Sequence, residues 1–176
     1  MDTFFEQIVP VRKDAKSAAA VAGLWFLAVL VSAVAFLFLL QYIGMMAFVL
    51  SFGAFYGAYK LSGRFNLEYE YIITNGTLDI DKIMAKSQRK RVLSVELSEV
   101  ERLEKYNPAA KPVGNYKSTV IACNETPAEG EESPYFMVVS KEGKGTVLLV
   151  MAPDERLRGA IKKFLPKFIA NSAFRD

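Results

Sequence analysis

The side chains that most enzymes use for acid–base and metal chemistry are scarce in this sequence. Its 176 residues contain no histidine and a single cysteine, Cys123, which excludes a Ser-His-Asp triad, a histidine metal cluster and a zinc site built from thiolates. No phosphate-binding loop and no dinucleotide-binding glycine motif occurs. The acidic residues form no recognisable pair of catalytic carboxylates. The sequence therefore predicts a protein that is not an enzyme and that binds no metal and no cofactor.

One group of charged residues has a spacing that could bind a ligand. The segment KIMAKSQRKR, called the basic segment below, carries five cations within ten residues: Lys82, Lys86, Arg89, Lys90 and Arg91. Beside an anionic membrane leaflet each cation can contribute about 1 kcal/mol of binding. The alternative is a solvated strand turn whose cations keep an exposed β edge from pairing with another chain. Nucleic acid is not expected as a partner, because residues 65–176 carry 17 basic and 16 acidic side chains and no basic face with interleaved aromatic residues.

The remaining candidates for a chemical role are one thiol and one acidic loop. Cys123 falls in a predicted strand and is expected to be a small, reduced, buried residue rather than a nucleophile. The acidic loop carries Glu125, Glu129, Glu131 and Glu132. It is expected to be disordered and solvated, with folding against the basic segment or a partner as the alternative.

A long uncharged run sets the architecture around these residues. From residue 17 to residue 59, 43 consecutive positions include no Asp, Glu, Lys or Arg. A single helix of that length would extend about 65 Å, roughly twice a hydrocarbon core, so the chain must cross twice. The run is also too long for a signal peptide. The prediction is a transmembrane hairpin over residues 17–62, with helices at about 17–40 and 45–62 and a turn between them at the only glutamine of the run.

Basic residues flank both ends of this hairpin. Arg12, Lys13 and Lys16 precede the first helix, Lys60 and Arg64 follow the second, and the turn has none. The positive-inside bias then places both termini in the cytoplasm. We therefore expect a multi-pass protein of the cell membrane, the inner or plasma membrane, with the lipid bilayer as its first partner.

Small residues lie along the second helix with the spacing of helix contacts in membranes. Gly53 and Gly57 form a GxxxG element, and Ala54 and Ala58 lie one position further on, on a neighbouring face. Small residues four positions apart let helix backbones approach closely. These four residues are the predicted helix-packing interface, either within the hairpin or between two copies of the chain. No charged residue lies within the spans, so a transporter is not expected.

The first sixteen residues carry a pattern that favours a short helix. Thr3 and Glu6 have the spacing of a capping box, four apolar residues would share one side, and Pro10 would end the helix. Residues 1–16 are therefore predicted to form a short interfacial helix under the cytoplasmic leaflet. Packing on the domain that follows is the alternative.

The chain after the helices begins with a β-hairpin signal, EYEYIITNGTLDID. Asn75 and Gly76 suit the two central positions of a type I′ turn. That register pairs apolar residues with one another on one face of the hairpin. On the other face it places Glu70 opposite Asp81, an unfavourable pair of like charges.

Further strands and one helix follow the hairpin. Strand candidates lie at 88–95, 100–106, 116–124, 134–141 and 145–152, separated by segments rich in turn residues. With the hairpin they make seven short strands, typical of a small sandwich or barrel. Asp154 is suited to cap a final amphipathic helix, which is expected to cover the open end of the barrel before a tail at 171–176. Its apolar stripe comprises Leu157, Ala160, Ile161, Phe164, Leu165 and Phe168.

The residues from the hairpin onward resemble a known family. The segments YIITNGTLDI, RKRV and VELSEVE are similar to the strand, turn, strand, basic arm and IPLxxI run of bacterial PH-like (pleckstrin-homology-like) membrane proteins. The whole chain, from MDTFFEQIV onward, resembles short bacterial membrane proteins with a two-helix anchor before such a domain. The resemblance implies an α+β membrane protein with a cytoplasmic PH-like domain over 65–170: a seven-stranded barrel or sandwich with a C-terminal capping helix. It implies no phosphoinositide pocket, because the loop between the first two strands is only Asn75-Gly76 and carries no positive charge.

Two functions agree with these features. The first is a membrane-anchored interaction or scaffolding module that meets a protein partner, or a second copy of itself, at the cytoplasmic face; an exposed sheet edge could bind an extended peptide. The alternative is a peripheral sensor of anionic lipid headgroups, acting through the basic segment and the Lys/Arg-rich C-terminal helix.

Overall fold

The structure is a computed structural model that describes residues 4–110, 112, 114–141 and 145–174. The chain divides into two compact units. One comprises Met1–Val11, Glu68–Ile83 and Arg89–Asp176, and the other comprises Arg12–Leu67 and Met84–Gln88. The first unit is therefore discontinuous in sequence, because the helices interrupt it.

Two helices form most of the second unit. Helix α1 spans Ala15–Val34 and continues through a π-helical turn, Ala35–Leu39, into a short helix α2, Leu40–Ile43. Helix α3 spans Met46–Gly63. Between α2 and α3, Gly44 has a φ of 52°, a conformation that glycine adopts without strain. Helices therefore occupy both segments where the sequence predicts them.

The surface of these helices is apolar on most sides. Phe26 and Leu37 on the first helical segment and Phe52 on α3 are 70%, 76% and 74% exposed. Among the described residues, one helical segment, Ala15–Phe38, is long and apolar enough to cross a membrane by length and composition, with a mean hydropathy of 2.5. Asp14 caps this segment by accepting a hydrogen bond from the Ser17 backbone N–H at 2.9 Å.

The N-terminal segment is a strand, so the predicted interfacial helix over residues 1–16 is wrong. Strand β1 spans Phe4–Val11, and its residues alternate strictly between exposed and half-buried. Phe5 and Val9, on the half-buried side, pack against the main core. An alternation of period two fits a strand, and the β-branched residues at positions 8, 9 and 11 favour one. The hydrogen bonds to the neighbouring strand in the sheet stabilise the strand more than a capping box would stabilise a helix.

Strand β1 completes a four-stranded sheet with the order β1-β2-β3-β4. The other strands are β2 (Leu67–Thr74), β3 (Thr77–Met84) and β4 (Gln88–Glu96). Asn75 and Gly76 have φ angles of 49° and 94°, which confirms the predicted turn with two left-handed central residues.

A second four-stranded sheet has the order β5-β7-β8-β6. Its strands are β5 (Val100–Lys105), β6 (Ser118–Ile121), β7 (Tyr135–Lys141) and β8 (Gly145–Met151). Strand β7 is antiparallel to β5 and β8, whereas β6 runs parallel to β8. The described residues thus form eight strands, not the predicted seven, because β1 joins those that the sequence indicates.

The two sheets share one core with the C-terminal helix. Buried residues of the first sheet, such as Tyr71 and Ile80, belong to the same cluster as Met137 and Leu149 of the second. Helix α4, Glu155–Phe164, contributes Leu157, Ala160 and Ile161 to that cluster. Its cap is Asp154, whose carboxylate accepts a hydrogen bond from the Leu157 N–H at 2.7 Å.

The end of the chain differs from the prediction in two respects. Pro166 separates α4 from a short helix α5, Lys167–Ala170, which changes the helical phase and leaves Phe168 73% exposed rather than on the apolar stripe. The predicted tail begins too early. Ala173 is buried, and the Phe174 ring meets Tyr135 edge-on at a centroid distance of 4.8 Å.

Candidate functional site

The arginines of the basic segment are held by carboxylates on the first sheet. Arg91 on β4 places Nη1 2.7 Å from Asp79 Oδ2 and Nε 2.8 Å from Asp81 Oδ1. Arg89, also on β4, places Nη2 3.1 Å from Glu70 Oε1 on β2. These cross-strand ion pairs neutralise part of the charge that the sequence offers to an anionic surface.

The five predicted contact residues belong to two compact units. Lys86 belongs to the compact unit that contains the helices, whereas Lys82, Arg89 and Arg91 belong to the other. Lys82 is half-buried, and both arginines lie within ion-pair distance of carboxylates. Lys86 and Lys90 are exposed and form no ion pair with a described carboxylate. Two of the five cations are therefore both exposed and without an ion pair to a described carboxylate.

Glu70 is the least expected ionisable residue of this cluster. Its side chain is fully buried, although the alternation of a strand places it on the face opposite to the core residues Tyr71 and Ile73. Burial, followed by the neighbouring Glu6 carboxylate of β1, raises the pKa of Glu70, while Arg89 opposes that rise. A carboxylate in this position costs stability when it is charged.

We expect Glu70→Gln to stabilise the protein at neutral pH by about 1 kcal/mol, because it removes a buried charge while keeping the shape of the side chain. A raised pKa means that the folded state binds the proton more tightly. The wild-type protein should therefore lose stability as the pH rises above 4.5, the ordinary value for this group. The variant should lack that part of the decline, and the two proteins should converge near pH 4. Urea unfolding at several pH values measures this.

Glu104→Gln is the matched control for that variant. Glu104 pairs with Arg102 at 2.8 Å, but both side chains are about half exposed, so the substitution should change stability by less than about 0.5 kcal/mol. A Glu70→Gln protein less stable than wild type at pH 7 would show instead that the Arg89 ion pair outweighs the cost of burial.

The structure separates the four residues of the predicted helix-packing interface. Ala58 is buried and Ala54 half-buried, whereas Gly53 is exposed. A Cβ added at Gly53 or Gly57 would meet no atom within 4 Å. The small residues buried along the two helical segments are alanines and serines, and Ala58 is the predicted residue among them: Ala28, Ser32 and Ala35 on the first segment, and Ala47, Ser51 and Ala58 on α3.

Ala58→Leu should weaken the contact between the two helices, because three extra carbons have no room at a buried position; the expected loss is about 1–3 kcal/mol. Trp25 on α1 lies with its ring centroid 6.3 Å from that of Phe55 on α3, so tryptophan fluorescence can follow separation of the helices in a denaturant titration in mild detergent.

Gly53→Leu serves as the control for that substitution, since it adds a larger side chain on the open face of the same helix. The midpoint of its titration should match wild type. Equal destabilisation by both variants would contradict the assignment of the helix contact. Dissociation of a dimer by Gly53→Leu alone would support the alternative that two copies pack through this face.

The single thiol is buried, as the sequence predicts. Cys123 is free and only 4% exposed, and burial raises its pKa to about 12. A thiol with that pKa is protonated at neutral pH and reacts slowly. The described residues also contain no group of three or more His, Cys, Asp or Glu side chains that could hold a metal ion.

The acidic loop is folded, contrary to the expectation of disorder. Glu131 accepts a hydrogen bond from the Ala128 N–H at 2.9 Å, and Glu125 accepts one from the Tyr106 hydroxyl at 2.9 Å. Glu132 pairs with Arg158 of α4 at 3.3 Å. The loop therefore packs on its own backbone and on the C-terminal helix, and these contacts do not involve the basic segment.

A groove lies beside β1 in the sheet-forming unit. It has a volume of about 170 Å³ and is lined by residues 7–10 of β1, Ala152 and the loop residues Asn124, Glu131 and Glu132. Gln7 fixes one wall, because its side-chain amide donates to the Ala152 carbonyl at 3.1 Å and accepts from the Asp154 N–H at 2.8 Å. The sequence could not indicate this groove, since it depends on the strand that was predicted as a helix.

Two small sheets closed by a C-terminal helix around a common core define a PH-like domain, and here the domain has helices between its first two strands. The profile of the family described as Bacterial PH-like domain (DUF6106) matches residues 1–171, so the chain belongs to this family. The matched span includes β1 and both long helices, beyond the 65–170 covered by the predicted domain. Neither a curated protein nor a solved structure matches the chain.

Proposed function

We propose that the protein is a membrane-anchored PH-like interaction module, with both termini in the cytoplasm and two helices that cross the cell membrane as a hairpin. Its sheet-forming domain would meet a protein partner at the cytoplasmic face. The coarse assignment of a PH-like interaction or scaffold module agrees with the family match. Membrane anchoring and binding of a protein partner are part of this proposal.

One observation carries the double crossing. Strands β1 and β2 are neighbours in one sheet, yet the helices lie between them in sequence. If α1 crosses the membrane, the chain must return to the same side before Leu67, because two strands of one sheet cannot lie on opposite sides of a bilayer. Helix α3, with 18 residues and thus about 27 Å of length, is the element available for the return.

The apolar surface of the helices supports the same conclusion. Large hydrophobic side chains are exposed along both of them, and an exposed apolar area of that extent has no stable place in water. Tyr42 lies beside the turn and Tyr59 near the other end of α3, with exposed fractions of 78% and 67%. Tyrosines at both ends of a span are typical of the two membrane interfaces.

The groove beside β1 is the surface we assign to the protein partner. Its lining is mostly apolar and includes Ile8, which is 48% exposed, together with the carboxylates Glu131 and Glu132. Such a site suits an apolar side chain next to a basic residue on an extended peptide.

Site-specific photocrosslinking in the native host tests this proposal. A photoreactive phenylalanine derivative at Ile8 should give one discrete protein adduct, which mass spectrometry then identifies. The same group at Glu101, an exposed residue on β5, is the control and should give none. Equal, diffuse labelling from both positions would refute the assigned groove.

A further inference from the structure

A second and larger pocket lies at the end of the helix pair where α1 begins and α3 ends. Its volume is about 540 Å³, within the range of sites for small molecules. Its walls come from Lys13, the first turns of α1, the last turn of α3 and the turn between β3 and β4. All of these residues belong to the compact unit that contains the helices.

The charge of this pocket is entirely positive. Its lining residues include no carboxylate. They include four exposed cations: Lys13, Lys60, Arg64 and Lys86. None of the four forms an ion pair with a described carboxylate. The Lys60 ammonium lies over the Tyr56 ring, 5.8 Å from its centroid. Four positive charges in one pocket repel one another, and a bound anion would offset that repulsion.

A strained turn contributes one of these cations. Ala85 and Lys86 have φ angles of 53° and 56°, a conformation that costs roughly 1–2 kcal/mol per non-glycine residue. The Ala85 N–H donates to the Asn66 carbonyl at 3.1 Å, which ties the turn to the chain that follows α3. Strain of this kind persists where the surrounding structure holds it in place, often at binding sites.

The remaining wall is suited to the region between lipid and water. Val21, Trp25 and Tyr59 line it alongside the cations. The pocket thus combines four cations with an apolar and aromatic side.

We propose that this pocket binds the phosphate-bearing headgroup of an anionic phospholipid. The cations would hold the phosphate oxygens, and Val21 and Trp25 would face the beginning of the acyl chains. The site differs from the predicted contact through the basic segment, with which it shares only Lys86. The inference rests on the proposed membrane hairpin, which brings these helix ends to the headgroups.

A soluble phosphate compound offers the same anionic chemistry. The lipid is favoured because one wall is apolar and because the helix ends that form the pocket are those flanked by the basic residues of the cytoplasmic interface. The experiment must therefore separate the two sources of phosphate.

Trp25 is the only tryptophan of the chain and lines the pocket, so its fluorescence reports the lipids next to it. The full chain is reconstituted in phosphatidylcholine bilayers that contain a fraction of phosphatidylglycerol, and one lipid at a time carries brominated acyl chains, which quench tryptophan on contact. Both leaflets have the same composition, so the orientation of the protein does not affect the result. We expect phosphatidylglycerol to occupy the vicinity of Trp25 with a preference of about tenfold over phosphatidylcholine.

Two variants, each without four positive charges, show where that preference arises. The pocket variant is K13Q/K60Q/R64Q/K86Q, and it should lower the preference to less than about twofold. The control is K90Q/K162Q/K163Q/K167Q, which removes exposed lysines outside the pocket and should leave the preference unchanged. The double variant K60Q/K86Q should show a preference for phosphatidylglycerol between those of the wild-type protein and the fourfold variant. It provides the test if the fourfold variant does not fold.

The outcomes distinguish failure of the pocket from failure of the membrane hairpin. Absence of quenching by either brominated lipid would refute the hairpin itself. Equal quenching by both lipids would leave the hairpin intact and overturn the pocket, as would an equal loss of preference in the pocket and control variants. Loss of the preference in millimolar glycerol phosphate would show that the anion is a soluble phosphate compound and would overturn the assignment to lipid.

Discussion

A chain that begins at Leu67 should not form the native domain, whereas a chain in which a flexible linker replaces residues 12–66 should fold in water. The first of these chains contains the predicted PH-like domain, 65–170, except for its first two residues. It lacks β1, however, which forms one edge of the first sheet and packs Phe5 and Val9 against the core. The second chain restores that strand and lacks the helices.

The expected loss is large on the scale of domain stability. Two half-buried apolar side chains contribute about 2 kcal/mol together. The two hydrogen bonds of Gln7, at 3.1 and 2.8 Å, add about 1–2 kcal/mol, and the free edge of β2 becomes open to aggregation. A total of about 3–4 kcal/mol is a large part of the roughly 5–15 kcal/mol that stabilises a domain.

The linker needs no particular geometry. About twelve Gly and Ser residues can extend to roughly 40 Å, longer than the eight residues of either strand. Soluble yield, dispersion of amide resonances and urea unfolding should all favour the linked chain. The linked chain with Val9→Asp is the control of equal length and should behave like the truncated one. Equal stability of the truncated and linked chains would show that β1 is dispensable.

The strands after the helices could be predicted from the sequence because their signals are local. Asn75 and Gly76 specify their turn through the φ angles that they tolerate, and alternating apolar residues mark both faces of β2 and β3. The buried face of α4 is likewise visible at helical spacing, up to Pro166. These features need no knowledge of distant parts of the chain.

Strand β1 was missed because its partner is distant in sequence. It pairs with β2, which begins at Leu67 beyond the helices, and eight residues with an apolar pattern are compatible with either a helix or a strand. The arginine ion pairs were missed for a similar reason. The predicted hairpin register places the carboxylates of Glu70 and Asp81 opposite each other, where they repel. Arg89 and Arg91 on the next strand pair with these carboxylates and offset the repulsion. The cationic pocket joins residues from the beginning of α1, the end of α3 and a later turn, so no short segment could reveal it.

A cysteine at Met45 should react with a membrane-impermeant maleimide in intact spheroplasts, whereas a cysteine at Lys90 should react only after the membrane is permeabilised. Met45 lies at the turn between the helices and is 84% exposed. Lys90 is exposed on β4, in the sheet that contains both β1 and β2. The native thiol need not be removed, because Cys123 is buried and its pKa is raised to about 12, so it should stay unlabelled in the folded protein. The expected contrast is nearly complete labelling at one position and none at the other.

The two positions together distinguish a hairpin from the other arrangements. A single crossing by α1 would place Met45 and Lys90 both outside, and both would react in intact spheroplasts. Helices that lie on the cytoplasmic surface would leave both protected until permeabilisation. A hairpin of reversed orientation would expose Lys90 and protect Met45, against the bias set by Arg12, Lys13 and Lys16. Only a double crossing with cytoplasmic termini gives labelling at Met45 alone. A single crossing from a cytoplasmic N-terminus would place β1 and β2 on opposite sides of the bilayer, whereas the double crossing keeps both strands on the same side.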